Sequence, residues 1–166
     1  MQDIQSMKFV TLLQPETKNN GDFTNNTYVD TQGWGHLRVL FVTGVITASA
    51  PIGSTAEGTA PLVEECDTTG GGYTAVTGAA LADAIADDED DKRFAIDIDL
   101  NKTHKRYMRV QAPHCGDGTP GASLCILGIL SRPNIGPKDA AGQEQITDAV
   151  IGFNSLRASP LYENEN

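Results

Sequence analysis

The sequence predicts an all-β protein, an antiparallel β-sandwich or barrel. Glycine and proline are frequent, at 17 and 8 of the 166 residues, and they supply many turns. Between the turns lie roughly six to eight short apolar or alternating segments, spaced about ten residues apart, which is typical of these folds. The length fits one domain and is sufficient to bury a core without a metal or disulfides.

Residues 1–35 are predicted to form an N-terminal strand or arm followed by a loop. Apolar residues 9–13 precede Pro15 and a run of Asn, Gly, Asp and Thr. The sequence leaves two interpretations of residues 9–13 open, a strand before a long loop and an arm.

Residues 36–132 are predicted to form the sandwich core. Residues 36–46 are rich in β-branched and aromatic side chains, and their apolar content is nearly continuous from Val39 to Val42. Such a run is typical of a strand that is buried on both faces or lies near the centre of its sheet. A loop of Ala, Ser, Gly, Thr and Pro follows at residues 48–59.

A hairpin is predicted next. Residues 61–66 form a short strand candidate, and residues 73–77 resume an alternating pattern. Three consecutive glycines at 70–72 permit the positive φ angles that a tight turn requires. Residues 79–86 have a helical composition but only about two turns of helical length, so they are predicted to form a short turn or loop.

The clearest strand is predicted at residues 94–100, where apolar side chains alternate with small or acidic ones, as in a half-buried antiparallel strand. The apolar face holds Phe94, Ile96, Ile98 and Leu100, and the other face holds Ala95, Asp97 and Asp99. A basic turn at 102–106 leads to a strand at 107–111, which ends before Pro113. A turn at 116–121 then leads to the last core strand, at 122–130.

Residues 133–166 are predicted to be a C-terminal extension that leaves the sandwich. Pro133 and Pro137 interrupt the chain, and residues 138–158 have some helical periodicity. Gly152 weakens such a helix by about 1 kcal/mol relative to alanine. The apolar positions near one helical face are Ile146, Val150, Phe153 and Leu156. The extension is expected to pack on a neighbour or to stay loose.

The charge of the chain excludes two classes of partner. Lys and Arg number 12 and Asp and Glu 22, which gives a net charge of −10. Nucleic-acid phosphates require a clustered cationic surface, and anionic lipid surfaces repel an acidic protein, so neither nucleic acid nor a membrane is an expected partner. No apolar segment approaches the roughly 20 residues that span a bilayer. No signal peptide is recognisable, so a soluble protein outside the general secretory route is expected.

The three cysteines predict free thiols in a reducing cytosol. Their count is odd and no Cys-x-x-Cys pair occurs, whereas secreted disulfide scaffolds have an even and denser set. The dipeptide His114-Cys115 offers two zinc ligands, and Cys66 or Cys125 offers a third. Their spacing fits no compact zinc motif, so no metal ligand is predicted.

Two acidic features have a functional and a structural interpretation. Residues 87–91 are all acidic, and hard cations such as calcium bind clustered oxygens. The run lacks the spaced Asp-x-Asp-x-Asp-Gly pattern, so a solvated loop is favoured. Asp97 and Asp99 lie on one strand face, as in a carboxylate pair used for acid–base catalysis, but nothing places an opposite partner. An exposed sheet face is favoured there.

Catalytic motifs are not found, and the chain is not expected to be an enzyme. Residues 116–121 formally match the dinucleotide-binding Gly-x-Gly-x-x-Gly pattern, but Pro120 interrupts it and a strand follows where a helix should begin, so a hairpin turn is predicted. The sequence has no Gly-x-Ser-x-Gly elbow and no P-loop. No catalytic, cofactor-binding or metal-binding residue is predicted.

A basic cluster stands out against the overall acidity. Its members are Lys102, His104, Lys105, Arg106 and Arg109. Alternation puts Arg109 on the same strand face as Tyr107. Local charge balance with Asp97, Asp99 and the acidic loop is favoured, since opposite charges across strands contribute about 0.2–1 kcal/mol per pair. The alternative is a contact patch for an acidic partner surface.

A series of segments, taken in order, resembles a known family. The series consists of Met7 to Leu13, Tyr28 to Trp34, Leu37 to Val42, Gly71 to Ala79, Phe94 to Leu100, Lys105 to Val110 and the strand that ends Ile129-Leu130-Ser131-Arg132. In this order it resembles the small head-associated virion proteins of tailed bacteriophages, the capsid decoration or cement proteins. The resemblance covers residues 7–132.

The resemblance implies a jelly-roll-like antiparallel β-sandwich, here with extended N- and C-terminal segments. It implies a homotrimer that is made in the bacterial host cytoplasm, sits on the outer surface of the capsid and bridges neighbouring major capsid proteins. No cofactor is expected.

Two other interpretations stay open. One is a carbohydrate-binding or host-adhesion module, for which Trp34 and four tyrosines are the available aromatic residues. The other is a different head–tail structural component.

Overall fold

The computed structural model describes residues 7–23, 27–55 and 58–133, which form eleven strands and no helix. In chain order the strands are β1 (Lys8–Lys18), β2 (Gly21–Asp22), β3 (Tyr28–Asp30), β4 (Trp34–Ile46), β5 (Ile52–Ser54), β6 (Leu62–Cys66), β7 (Thr74–Ala80), β8 (Arg93–Asp99), β9 (Tyr107–Val110), β10 (Pro113–Cys115) and β11 (Ala122–Pro133). Their pairings are all antiparallel, which confirms the predicted all-β class. In these ranges no helix has the length and hydropathy needed to cross a membrane.

The strands form three sheets in a sandwich-like arrangement. Sheet A has the strand order β1-β11-β4-β8, sheet B has β2-β10-β5, and sheet C has β3-β9-β6-β7. Strands that follow one another in the chain often change sheet: β9 lies in sheet C, β10 in sheet B and β11 in sheet A. The predicted sandwich is therefore confirmed, and its connections are compatible with a jelly-roll-like class.

One hydrophobic core joins the three sheets. It includes Phe41 from β4, Ile52 from β5 and Met108 from β9, which are all fully buried. Burying a side chain of this size stabilises a fold by about 1.5–3 kcal/mol. The sheets are therefore held together mainly by apolar side chains that point between them.

The central strand of sheet A is β4. It pairs with β11 on one side and with β8 on the other, so the predicted position near the centre of a sheet is confirmed. Leu37, Val39 and Phe41 are buried in the core, whereas Arg38 is exposed. Alternate side chains of a strand point to opposite faces, so only one face of β4 lies in the core.

The N-terminal strand β1 is the edge strand of sheet A. It pairs with β11 from Lys8 to Lys18, so residues 9–13 are a strand and not an arm. The strand continues past Pro15, and its register shifts between Leu13 and Glu16. Proline has no N–H to donate to a ladder but is tolerated on edge strands and at bulges.

Four short strands lie where the sequence predicts loops or a strand end. β2 and β3 lie within the N-terminal loop, β5 lies within the loop at 48–59, and β10 begins at Pro113. β10 pairs with both β2 and β5 to form sheet B. Strands of two or three residues are too short to show alternation, so the sequence does not mark them.

The predicted hairpin is confirmed. β6 pairs with β7, and the turn between them has φ angles of +133° at Gly71 and +77° at Gly72. β7 continues to Ala80, beyond the predicted strand end, because Ala79 is buried in the core and Ala80 pairs with Leu62.

The alternation predicted for β8 is also confirmed. Ile96 and Ile98 are buried, whereas Asp97 and Asp99 are exposed on the outer face of sheet A. The predicted C-terminal extension begins one residue too early, because Pro133 still pairs with Trp34 in sheet A. The rest of it, including the helical periodicity at 138–158, lies outside the described residues.

Candidate functional site

The acidic loop at residues 87–91 binds backbone groups near the end of β4. Asp90 accepts a 2.5 Å hydrogen bond from the N–H of Ile46, and Asp87 accepts a 2.9 Å hydrogen bond from the N–H of Ser49. No group of three or more His, Cys, Asp or Glu residues in the described ranges could hold a metal ion. The loop therefore caps the end of a strand.

Asp97 and Asp99 are each occupied by a neighbour on the outer face of sheet A. Arg38 donates to both oxygens of Asp97 over 2.8 and 3.0 Å, and these hydrogen bonds hold the pKa of Asp97 below its usual range. Hydrogen bonds from Asn101 lower the pKa of Asp99 in the same way. Both carboxyls are thus held ionised, whereas acid–base catalysis by a pair requires their pKa values to be pushed apart.

The structure brings together a serine, a histidine and an aspartate that no motif in the sequence singles out. The Ser131 hydroxyl lies 3.2 Å from Nδ1 of His36, and Asp97 lies 3.2 Å from Nε2 of that ring. In a Ser-His-Asp triad the carboxylate orients the imidazole. Here Asp97 is bound at both oxygens by Arg38, and Ser131 is only 5% exposed. The arrangement is therefore a charge-balanced network in an open depression of about 390 Å³.

The candidate zinc ligands His114 and Cys115 have other hydrogen-bond partners. His114 binds Asp22 over 2.8 Å, and the Cys115 thiol donates to the carbonyl of Lys18. All three cysteines are free thiols. Within the described ranges none of the three belongs to a group of three or more His, Cys, Asp or Glu residues that could hold a metal ion.

The turn at 116–121 is not a hairpin, because it joins β10 of sheet B to β11 of sheet A. Gly121 has a φ of +95°, and a Cβ atom there would collide with the carbonyl of Lys18. Gly121 therefore permits a close backbone approach between the end of β1 and the start of β11, and a strand follows where a dinucleotide site requires a helix.

The most distinctive surface is on the outer face of sheet C. It is formed by Tyr28, Tyr73, Tyr107, Arg106 and Arg109, and we call it the tyrosine–arginine surface. Tyr28 lies in β3, and Tyr73 lies in the turn before β7. Tyr107 and Arg109 lie in β9, and Arg106 is the residue before that strand. Met108 and Val110 are fully buried, so alternation turns Tyr107 and Arg109 outward, as the sequence predicts.

Ring contacts hold the tyrosine–arginine surface together. The rings of Tyr28 and Tyr107 meet edge to face, with centroids 5.4 Å apart. The guanidinium carbon of Arg109 lies 4.0 Å from the ring centroid of Tyr73, and that of Arg106 lies 5.1 Å from the centroid of Tyr107. Such pairs contribute about 0.5–1.5 kcal/mol each beyond burial, and they limit the motion of the side chains.

The arginines of this surface are neutralised by two carboxylates. Arg109 binds Glu64 over 2.7 Å, and Arg106 binds Asp30 over 2.7 Å. Burial opposes ionisation of Asp30, but hydrogen bonds from Arg106 and from the Gln32 N–H outweigh it and lower the pKa. Charge balance is therefore local, as predicted. The prediction that these two arginines are balanced by Asp97, Asp99 and the acidic loop is wrong. The strand order of sheet C places β3 and β6, which carry Asp30 and Glu64, beside β9.

The phenol of Tyr73 has no hydrogen-bond partner among the described residues, although its oxygen is buried. Burial raises its pKa, against the effect of Arg109. A buried hydroxyl without a hydrogen bond lowers stability by about 1–3 kcal/mol. A binding partner or a water molecule that hydrogen-bonds to it recovers that free energy.

A second exposed surface is the outer face of sheet A, which is apolar at its centre. We call it the outer apolar face, and it consists of Phe9, Leu40, Val42, Cys125, Leu127 and Ile129. Phe9 is 54% exposed, and the others are partly buried. Burial raises the pKa of the Cys125 thiol.

Sequence analysis missed the gathering of the three tyrosines. It placed Tyr107 beside Arg109, but no local signal shows that Tyr28 and Tyr73 join them. Trp34, one of the aromatic residues considered for a glycan platform, is only 4% exposed and belongs to the core.

No protein-family model, curated protein or solved structure matches this chain. The fold and its surfaces define an all-β sandwich-like protein with two exposed sheet faces, one rich in tyrosine and arginine and one apolar.

Proposed function

We propose that this protein is a structural virion protein that decorates and stabilises a bacteriophage capsid by bridging neighbouring major capsid proteins. It acts by binding and does not turn over a substrate. The proposal rests on the resemblance of residues 7–132 to capsid decoration proteins. The observation that supports it best is the tyrosine–arginine surface.

Tyrosine and arginine are the residue types that most often dominate the energy of a protein–protein interface. In this surface their side chains are already ordered by one another, since Tyr28 contacts Tyr107 and Arg109 contacts Tyr73. A preordered surface loses less side-chain entropy on binding. Its internal ion pairs leave it nearly neutral, so contact with a capsid protein does not require an oppositely charged partner.

Decoration would stabilise the shell by mass action. A stable interface buries about 1,200–2,000 Å² in total, and a protein that binds only the assembled capsid favours assembly. The protein would be made in the host cytoplasm, form a homotrimer and attach to the outer surface of the capsid. A trimer would present three copies of the surface to the lattice and increase avidity.

The test is binding of purified protein to particles that lack it. Wild type should bind in a fixed ratio to the major capsid protein, and Tyr28→Ala/Tyr107→Ala should bind at least about tenfold more weakly. Phe9→Ala is the matched control, because it removes an exposed aromatic side chain from sheet A. A protein that stays monomeric at high concentration and is absent from virions would contradict the proposal.

A second candidate is a carbohydrate-binding or host-adhesion module. The specific observation in its favour is that three tyrosines share one exposed face, because sugar rings stack on aromatic side chains. Glycan-array binding that is lost in Tyr28→Ala, together with no binding to capsids, would favour this candidate. A different head–tail component would be distinguished by a low copy number per particle.

A further inference from the structure

Strand β8 lies at one edge of sheet A, and its outer edge is open. It pairs with β4 on one side, and no described residue pairs with it on the other. Lys92 and Leu100, which flank the strand, each form a backbone hydrogen bond to β4. In an antiparallel ladder only every second residue faces a given neighbour. The even-numbered residues therefore face β4, and the N–H and C=O groups of the odd-numbered residues, from Arg93 to Asp99, face the open edge.

The other edge strands of the three sheets are protected against pairing with a further strand. β1 contains Pro15 and two shifts of register, and β7 contains Gly78 and one shift. β2, β3 and β5 have only two or three residues. Short strands, prolines and bulges are common means by which proteins blunt a sheet edge. β8 has none of them, since its seven residues pair with β4 in unbroken register and include neither proline nor glycine.

Apolar surface lies beside this open edge. Phe94 packs against the core but is partly exposed. Together with Leu81 and Ile85 it lines an open depression of about 380 Å³. A strand that is added to β8 would therefore gain apolar contacts in addition to backbone hydrogen bonds.

The sequence of β8 is complementary to itself when a second copy runs antiparallel to it. If Ile96 lies opposite Ile96 of the second copy, then Arg93 lies opposite Asp99 and Phe94 lies opposite Ile98. In this register the residues that face the open edge in one copy oppose the residues that face it in the other, so their backbone groups can bond. Arg93 forms no salt bridge with any described residue, so its charge is available to a carboxylate of the second copy.

Neighbouring registers lack this complementarity. Sliding one copy by two residues in one direction places Asp97 opposite Asp97, and sliding it in the other direction places Asp99 opposite Asp91. Like charges that lie directly opposite each other destabilise a sheet, whereas opposite charges stabilise it. A slide by one residue sets edge-facing residues against residues that face β4, so the backbone groups no longer match. The charges and the backbone therefore select a single register.

We propose that two copies of this chain associate through β8, which pairs antiparallel with β8 of the second copy about Ile96 and joins the two copies of sheet A into one continuous sheet. The same residues serve on both sides, so the contact is two-fold. It goes beyond the proposed function and does not depend on it. With the proposed homotrimer, the closed assembly would be a hexamer.

The first test blocks the open edge without removing a hydrogen bond to β4. The N–H of Ala95 faces the open edge, so Ala95→Pro removes a donor that only the second copy uses, and an edge strand tolerates proline in this orientation. In sedimentation equilibrium of the full-length protein, Ala95→Pro should halve the mass of the wild-type assembly. Ala95→Ser is the matched control, because it keeps the N–H, and it should leave the mass unchanged. Concentrations up to about 0.5 mM are used, so that a contact with a Kd of about 0.1 mM is mostly formed.

The second test exchanges the charges that set the register. Arg93→Glu should raise the dissociation constant about tenfold, because the pair occurs twice in a two-fold contact and attraction is replaced by repulsion. Adding Asp99→Lys should bring the constant back to within about threefold of the wild-type value. If urea unfolding shows that Ala95→Pro does not fold, this exchange decides in its place.

A wild-type mass that corresponds to a monomer or a trimer would overturn the proposal, and so would a mass that Ala95→Pro leaves unchanged in a folded protein. If Asp99→Lys does not restore association, another register or surface holds the copies together, which would overturn it as well. A dimer that Ala95→Pro converts to a monomer would support this contact and contradict the proposed homotrimer, so the two proposals fail separately.

Discussion

Arg109 joins Tyr73 to Glu64: its guanidinium carbon lies 4.0 Å from the centroid of the tyrosine ring, and its Nε donates a 2.8 Å hydrogen bond to the glutamate. Glu64 is only 6% exposed, so this single cation compensates a nearly buried carboxylate. The contact links β9, β6 and the turn before β7, and it fixes the centre of the tyrosine–arginine surface.

Arg109→Ala should therefore destabilise the protein. It leaves the charge of Glu64 buried without its partner, which costs several kcal/mol in a fully buried pair. Because the Arg109 side chain is 41% exposed, we expect a smaller loss of about 1–3 kcal/mol, measured by urea unfolding. Adding Glu64→Gln to Arg109→Ala should recover part of that loss. A double variant less stable than Arg109→Ala would contradict this account.

Stability should fall in acid, partly through Asp97. Hydrogen bonds from Arg38 hold the pKa of Asp97 below its ordinary value of 3.8, so the folded state binds this proton less readily than the unfolded state. The stability that ionised Asp97 contributes is fully present above pH 3.8. It is lost as the pH falls through the lower pKa of the folded state. Urea midpoints should fall less steeply below about pH 4 in Asp97→Asn than in wild type. Asp88→Asn, in the exposed acidic loop, is the control and should follow wild type.

Gly121→Ala should be among the most damaging single substitutions. The positive φ disfavours any side chain, and the new Cβ would collide with the Lys18 carbonyl. We expect a loss of about 3 kcal/mol or more, or no folded protein. Gly78→Ala separates the two effects, because Gly78 has a φ of +79° but open space around its Cβ position, and it should cost only about 1 kcal/mol. Similar losses for both variants would mean that the collision is not decisive.

Asp90→Ala should weaken the cap at the end of β4. The N–H of Ile46 would lose its acceptor, which costs about 1–2 kcal/mol in thermal or urea unfolding. Asp88→Ala removes a neighbouring carboxylate that accepts no hydrogen bond recorded among the described residues, and it should be close to neutral. If both variants lost the same stability, the effect would come from the charge of the loop and not from the cap.

Ser131 should not act as a nucleophile. The carboxylate beside His36 is already bound by Arg38, so the pair is poorly suited to activate the hydroxyl. Purified protein should hydrolyse p-nitrophenyl acetate no faster than buffer. Turnover that disappears in Ser131→Ala but persists in Ser123→Ala would reverse this conclusion and revive an enzymatic function.

Sequence periodicity was sufficient for the two strands β8 and β9. In β8 the alternation identified Ile96 and Ile98 as buried and Asp97 as exposed, and the structure agrees. In β9 the same rule placed Tyr107 and Arg109 on one face. A two-residue period depends only on the geometry of an extended backbone, so it is readable without knowing which strand lies alongside.

The tertiary structure alone decided which strands are neighbours. Asp30 meets Arg106 across 76 positions of sequence because β3 pairs with β9, and β5 and β10 exist as strands because they pair with each other. The amino-acid sequence thus determined the all-β class and the faces of β8 and β9, and for β4 it left open burial on both faces or a place near the centre of the sheet. The three-tyrosine cluster and the partners of the two arginines depended on long-range pairing, since a short segment holds no information about a distant strand until a shared core brings the two together.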